Sequence, residues 1–190
     1  MNDSRKVDKY MKGGFFVSIY EDLFEVGKAL TNIEKTGIYD VEKYCCSIKH
    51  LTNQLEYFYC HLVPKGSSNT DETFYHLQRR PAEHQLAYFN IGRGFPKELM
   101  DGHWCYVLKD LGYKMLVIPS TSVKADSKPC HPLFEMDIEI MMNGKKTKSR
   151  IQLSDIRSID VQRLDLRKTF CEVQTPRDEI VEFTKRNLLM

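Results

Sequence analysis

The chain reads as an α+β protein: an N-terminal antiparallel helical hairpin, then a small antiparallel β-barrel or sandwich, then a closing helix. Three observations carry that reading. Apolar residues recur at helical spacing between residues 19 and 62, short apolar runs bounded by turn residues follow from residue 86, and Asn143-Gly144 marks a tight reversal between two of them. Composition agrees, since 190 residues with 42% hydrophobic and 28% charged side chains exclude intrinsic disorder and fit one globular domain, or one with a small addition. A chain of this size buries about 70% of the surface its unfolded form exposes, so it needs neither disulfides nor a metal to hold a core.

Ser18 followed by Glu21 forms a capping box that starts the first helix. Ile19, Leu23, Val26, Leu30 and Ile33 make one apolar stripe, and Gly37 supplies the left-handed stop. Asp40 caps a second helix whose Val41, Tyr44, Cys45, Ile48, Leu51, Leu55, Phe58 and Leu62 share a face. Packing on the chain's own barrel is the default expectation for the stripes, with a dimer interface or the groove of a partner as the alternatives, and Cys45 reads as a small core hydrophobe. The stretch Pro64-Lys65-Gly66-Ser67-Ser68-Asn69-Thr70 is the most linker-like in the chain, and a boundary is expected there, dividing residues 1–72 from 73–190. Beyond it, strands are expected over 86–91, 105–108, 115–118 and 134–142, the last alternating apolar and acidic residues. The Asn143-Gly144 turn returns the chain through Lys145, Lys146, Lys148 and Arg150 into Ile151 and Leu153, and a final helix is expected over 177–187.

The formal net charge is +2, with 28 basic against 26 acidic residues, so no global field marks a nucleic-acid binder and any such binding must be local. Six cysteines show no CxxC spacing for zinc or a redox pair, which fits reduced thiols in a cytoplasmic protein. The longest apolar run near the N-terminus, 14–17, is far too short for a signal sequence or a membrane span, so neither secretion nor membrane insertion is expected.

The segment 91–99 carries two glycines, Arg93, Lys97 and Glu98, and leads into His103-Trp104 at a strand start. Pro119-Ser120-Thr121-Ser122 ends the next strand. If those strands are neighbours, His103 and the hydroxyls of Ser120, Thr121 and Ser122 share one concave mouth beneath the loop. Such a group suits RNA transesterification, in which a base takes the ribose 2′-OH proton, the oxygen attacks phosphorus, and an acid protonates the leaving 5′-oxygen. Histidine exchanges protons near neutrality, and hydroxyls and cations stabilise charge on the phosphorane. On spacing alone, the competing reading of His103 is a hydrogen-bonded structural residue at a strand edge.

The segments 94–108 (GFPKELMDGHWCYVL) and 116–122 (LVIPSTS), and above all 156–164 (IRSIDVQRL), resemble the signature of PemK/MazF toxins. The resemblance spans roughly residues 86–164 and leaves out the helical hairpin. It implies an SH3-like barrel that forms a homodimer, cleaves single-stranded RNA without metal or other cofactor, and is held inactive by a cognate antitoxin. By position the family's catalytic threonine falls on Thr121, its loop glutamate on Glu98, and its catalytic arginine on His103. Arg93, Lys97, Trp104, Ser120, Ser122 and Lys124 then fall along the RNA path, with Trp104 adding a stacking face where the family often has proline. Histidine in place of arginine changes the division of labour, because arginine only clamps or donates while histidine also accepts a proton. The alternative is a catalytically silent barrel that binds a protein or nucleic acid through the same mouth. A DNA-binding regulator is a weaker third class, since no helix-turn-helix or basic helix is evident. The basic cluster 145–150 has two readings, a path along a phosphate backbone and, preferred, a solvated hairpin tip that protects an edge, while Arg157 and Arg163, interleaved with Asp155, Asp160 and Asp165, read as locally paired scaffold. His76, His84 and His131 show no ligand spacing.

Overall fold

The computed structural model describes residues 19–65 and 77–188. Ser18 of the expected capping box, most of the linker from residue 66, the expected boundary after residue 72 and His76 lie outside the described residues. The chain divides into two compact units, Met1–Cys46 and Ser47–Met190.

In the first unit, helix α1 spans Ile19–Glu34, and Gly37 follows it at φ +64°, the left-handed stop expected of glycine there. The Asp40 carboxylate accepts the Lys43 backbone N–H at 2.8 Å and so starts helix α2, Val41–Tyr57. The apolar stripe of α1 is exposed, with Ile19 at 76% and Leu23 at 61%, and Cys45 of α2 is exposed as well. Within the hairpin itself that stripe is not covered: periodicity selects a helix face, whereas burial needs a second surface that the helix's own sequence does not encode.

In the second unit α2 ends in a π-helical turn, Phe58–Leu62, and a 3₁₀ turn, Val63–Lys65. Seven strands follow: β1 Gln85–Asn90, β2 Gly102–Asp110, β3 Lys114–Ser122, β4 Glu135–Met142, β5 Lys145–Gln152, β6 Arg157–Asp160 and β7 Cys171–Val173. The sheet order is β2-β1-β7-β4-β5-β3-β6, and an additional β2–β3 pairing closes six strands into an antiparallel barrel with β6 appended to β3. Closure leaves the ring without an open edge. The β4–β5 hairpin pairs in full from Glu135↔Gln152 to Met142↔Lys145, and both turn residues are left-handed, Asn143 at φ 51° and Gly144 at φ 73°, as a type I′ reversal requires. β6 and β7 were not expected from the sequence.

Because successive strand residues face opposite ways, the closed ring sorts its apolar side chains into two clusters. Leu86, Tyr106, Ile118, Ile138, Ile140, Ile151, Cys171 and Val173 come from all six barrel strands and fill the interior. Ala87, Phe89, Cys105, Val107, Met115 and Val117 lie on the opposite faces of β1, β2 and β3, where Ile159 of β6 and Val161 and Leu164 after it complete a second core. Helix α3, Arg177–Leu188, adds Ile180 and Phe183 to the interior cluster. Its Arg177 pairs with Glu83 at 2.6 Å, and Lys109 near the end of β2 pairs with the same carboxylate at 2.9 Å, which places α3 at the barrel end where β1 begins and β2 finishes. No helix among the described residues is long and apolar enough to cross a membrane.

At that same end the His84 Nδ1 lies 3.0 Å from the Tyr106 hydroxyl, with His84 held at φ 70°. Burial, then the Arg177 charge, holds the His84 imidazole below its ordinary value of 6.5, and burial pushes the Tyr106 phenol up to about 12. A depressed histidine means that the unfolded chain binds the proton first. Stability contributed by neutral His84 is therefore full above the ordinary histidine value and is lost as pH falls below it towards the folded value. The urea midpoint is expected to drop between about pH 8 and about pH 5, and His84→Asn, which tolerates positive φ, is expected to flatten that dependence. Equal slopes in the two proteins would contradict this origin.

Candidate functional site

The barrel end opposite α3 is open. β2 and β5 begin there and β3 and β4 finish there, around a cavity of about 310 Å³. Trp104 pairs with Ser120 across β2 and β3, so Trp104, Ser120 and Ser122 fall on the barrel's inner face, and His103 and Thr121 fall on the outer face one position away. Continuing the register sets His103 directly across from Thr121, and both reach the cavity's rim. The wall is completed by Tyr88 of β1, Ile140 and Met142 of β4, and Thr147, Lys148 and Ser149 of β5. Tyr88 and Trp104 meet edge to face with ring centroids 5.5 Å apart. Gly102 is required beneath them, because a Cβ there would stand 2.6 and 2.7 Å from the Tyr88 ring carbons Cε1 and Cζ.

His103 Nδ1 lies 3.3 Å from the Ser120 carbonyl oxygen. A carbonyl only accepts, so this contact favours the tautomer with hydrogen on Nδ1 and a lone pair on Nε2. The buried hydroxyls form a chain in which Ser149 Oγ donates to Ser120 Oγ at 2.9 Å and Ser120 Oγ donates to the Trp104 carbonyl at 3.0 Å. Burial, followed by the charges of Asp165 and Asp101, raises the Tyr88 phenol, so it stays a neutral hydroxyl. Beside Thr121 in the register, Arg150 is bidentate to Asp137 at 2.6 and 3.1 Å and donates to the Lys128 carbonyl at 2.6 Å. The Arg150 guanidinium holds the Asp137 carboxyl below the usual range. The cluster 145–150 is thus divided: Lys146 pairs with Glu139 at 2.6 Å, Arg150 is part of the scaffold, and Lys148 stands on the cavity rim.

The remaining expected site residues lie elsewhere. Arg93 is bidentate to Asp101 at 2.9 and 2.8 Å with its side chain only 7% exposed, so its charge closes the base of the loop 91–101. Asp101, at φ 67°, also exchanges backbone hydrogen bonds with Gly92 and Ile91, at 2.6 and 2.8 Å. Glu98 accepts the Phe95 N–H at 3.2 Å within the loop and is exposed, as are Lys97 and Lys124. None of Arg93, Lys97, Glu98 and Lys124 lines the cavity. Sequence reasoning missed Tyr88, Ile140, Met142, Thr147 and Ser149, and it placed Lys148 in a cluster weighed for phosphate contact but read as a solvated tip. The inward parity of Thr147 and Ser149 was readable backwards from Ile151, four and two positions on respectively, once β5 was accepted as a strand.

A second hollow of about 340 Å³ lies within the Ser47–Met190 unit, between the end of α2 and the 3₁₀ turn Val161–Arg163. Asn90 joins its walls, donating to Gln54 Oε1 at 3.1 Å and accepting from Arg163 at 3.3 Å through its carbonyl. Arg157 likewise bonds the Asp155 carbonyl at 3.2 Å, so both arginines of the 156–164 segment are tied into the scaffold. Among the described residues no group of three or more His, Cys, Asp and Glu side chains is gathered to hold a metal. No protein-family model matches the chain and no curated protein matches it, so the likeness to PemK/MazF toxins rests on the sequence segments that carry it.

Proposed function

We propose that the chain is an endoribonuclease that cuts single-stranded RNA by 2′-OH transesterification without metal, as PemK/MazF toxins do. The observation that carries the proposal is the placement of His103 and Thr121 opposite each other at one cavity rim, on the paired strands β2 and β3. In this reading the His103 Nε2 lone pair takes the 2′-OH proton. The oxygen then attacks the adjacent phosphorus, the P–O5′ bond breaks, and the 5′-oxygen leaves with a proton from the imidazolium or from water. The Thr121 hydroxyl orients the phosphate and donates to a phosphorane oxygen, and Lys148 on the same rim offsets the charge. The reading brings with it an SH3-like barrel, a homodimer, a cognate antitoxin and a cytoplasmic place of action.

A second reading, a barrel that grips RNA or a protein without cutting, is favoured by one observation, the histidine at the position where the resembled family has arginine. The test is incubation of the full chain with single-stranded RNA in EDTA. Fragments ending in a 2′,3′-cyclic phosphate and beginning with a 5′-hydroxyl are expected. RNA that is bound but stays intact would favour the second reading.

A further inference from the structure

We infer that the open barrel mouth is a nucleobase subsite, in which one unstacked base enters between Trp104 and the aliphatic wall of Ile140 and Met142. This rests on the ribonuclease reading for its choice of nucleotides, and on the cavity itself for its geometry. Strand alternation supplies the coupling. His103 and Trp104 are adjacent, as are Thr121 and Ser120, so each proposed phosphate-handling residue on the rim has a neighbour pointing into the barrel about 3.3 Å further along its strand. A nucleotide whose phosphate lies on the rim therefore has its base at the mouth.

The lining suits a base. One wall is aromatic and the other apolar, the arrangement that proteins use to hold an extruded base between its two faces. Hydroxyls form the sides, and those of Ser122 and Thr147 make no hydrogen bond among the described residues, which leaves donors and acceptors for the base edge. The Trp104 indole N–H has no partner there either, and since no buried polar side-chain atom lacks one, that N–H is reachable. At about 310 Å³ the cavity lies at the small end of ligand sites, with room for a single base.

Trp104 is the chain's only tryptophan, so its emission reports on this cavity alone. The experiment titrates the full chain with each of the four ribonucleoside 3′-monophosphates, exciting at the red edge of the indole band, with inorganic phosphate as control. Saturable quenching by at least one nucleotide and none by phosphate is expected. Thr147→Leu and Met142→Phe, two independent ways to fill the mouth, should weaken that quenching at least tenfold in concentration while circular dichroism stays unchanged. Emission that no nucleotide alters, or quenching that both folded variants retain, would overturn the subsite. Absent quenching in a chain that cuts RNA removes the subsite and keeps the nuclease, whereas quenching in a chain that never cuts keeps the subsite and removes the nuclease.

Discussion

Replacing His103 with alanine is expected to lower the rate of RNA cleavage by about 10²- to 10⁴-fold, the range lost when a general acid or base is removed. The expectation follows from the tautomer set at the rim, where the Ser120 carbonyl engages Nδ1 and leaves Nε2 as an acceptor. It has a second, sharper form in one substitution. His103→Arg restores the side chain of the resembled family. Arginine clamps and donates but does not accept a proton, so this variant should keep its grip on the substrate and still lose rate. Initial rates on a single-stranded substrate make the comparison, and cleavage by His103→Arg at the wild-type rate would exclude His103 as the proton acceptor.

Phe89→Ala is expected to destabilise the chain by about 3–5 kcal/mol, the usual loss for a buried phenylalanine. Phe89 is 0% exposed, stands opposite His103 in the β1–β2 register, and belongs to the second core outside the barrel. Cross-strand partners share a face, so Phe89 supports the same surface from which His103 rises. Against a total stability of about 5–15 kcal/mol for a domain, the loss is large enough to read from the urea midpoint at unchanged slope. A loss below about 1 kcal/mol would mean that the cluster outside the barrel is loosely packed and does not fix the rim.

Which parts of the fold could be read in the sequence follows from which faces are covered. Leu86-Ala87-Tyr88-Phe89 and Met115-Leu116-Val117-Ile118 are continuous apolar runs because β1 and β3 face the interior on one side and the second core on the other. Residues of β4 alternate because only Met136, Ile138, Ile140 and Met142 turn inward. The three-residue β7 carried no such pattern, yet Gln85↔Glu172 and Ile140↔Val173 show that it joins β1 to β4 and closes the ring. Closure also explains the uneven view of the site. His103 and Ser120 to Ser122 sit at the facing ends of consecutive strands, so local reasoning joined them. Ser149 reaches the same cavity through the β3–β5 pairing, and Thr147 through its place opposite Ile140 in the β4–β5 pairing. The roles expected of Arg93 and Glu98 came from residue type in the loop and from the family resemblance, neither of which shows that Arg93 is paired with a carboxylate eight residues on.

The central claim is that His103 and Thr121 act together on one phosphodiester, and single-turnover cleavage by His103→Ala, Thr121→Ala and the double variant tests it most directly. Groups that work as a unit lose rate non-additively, so the double variant should be little slower than the worse of the two singles. Losses that multiply, or a double variant that cuts as fast as the wild-type chain, would contradict the account.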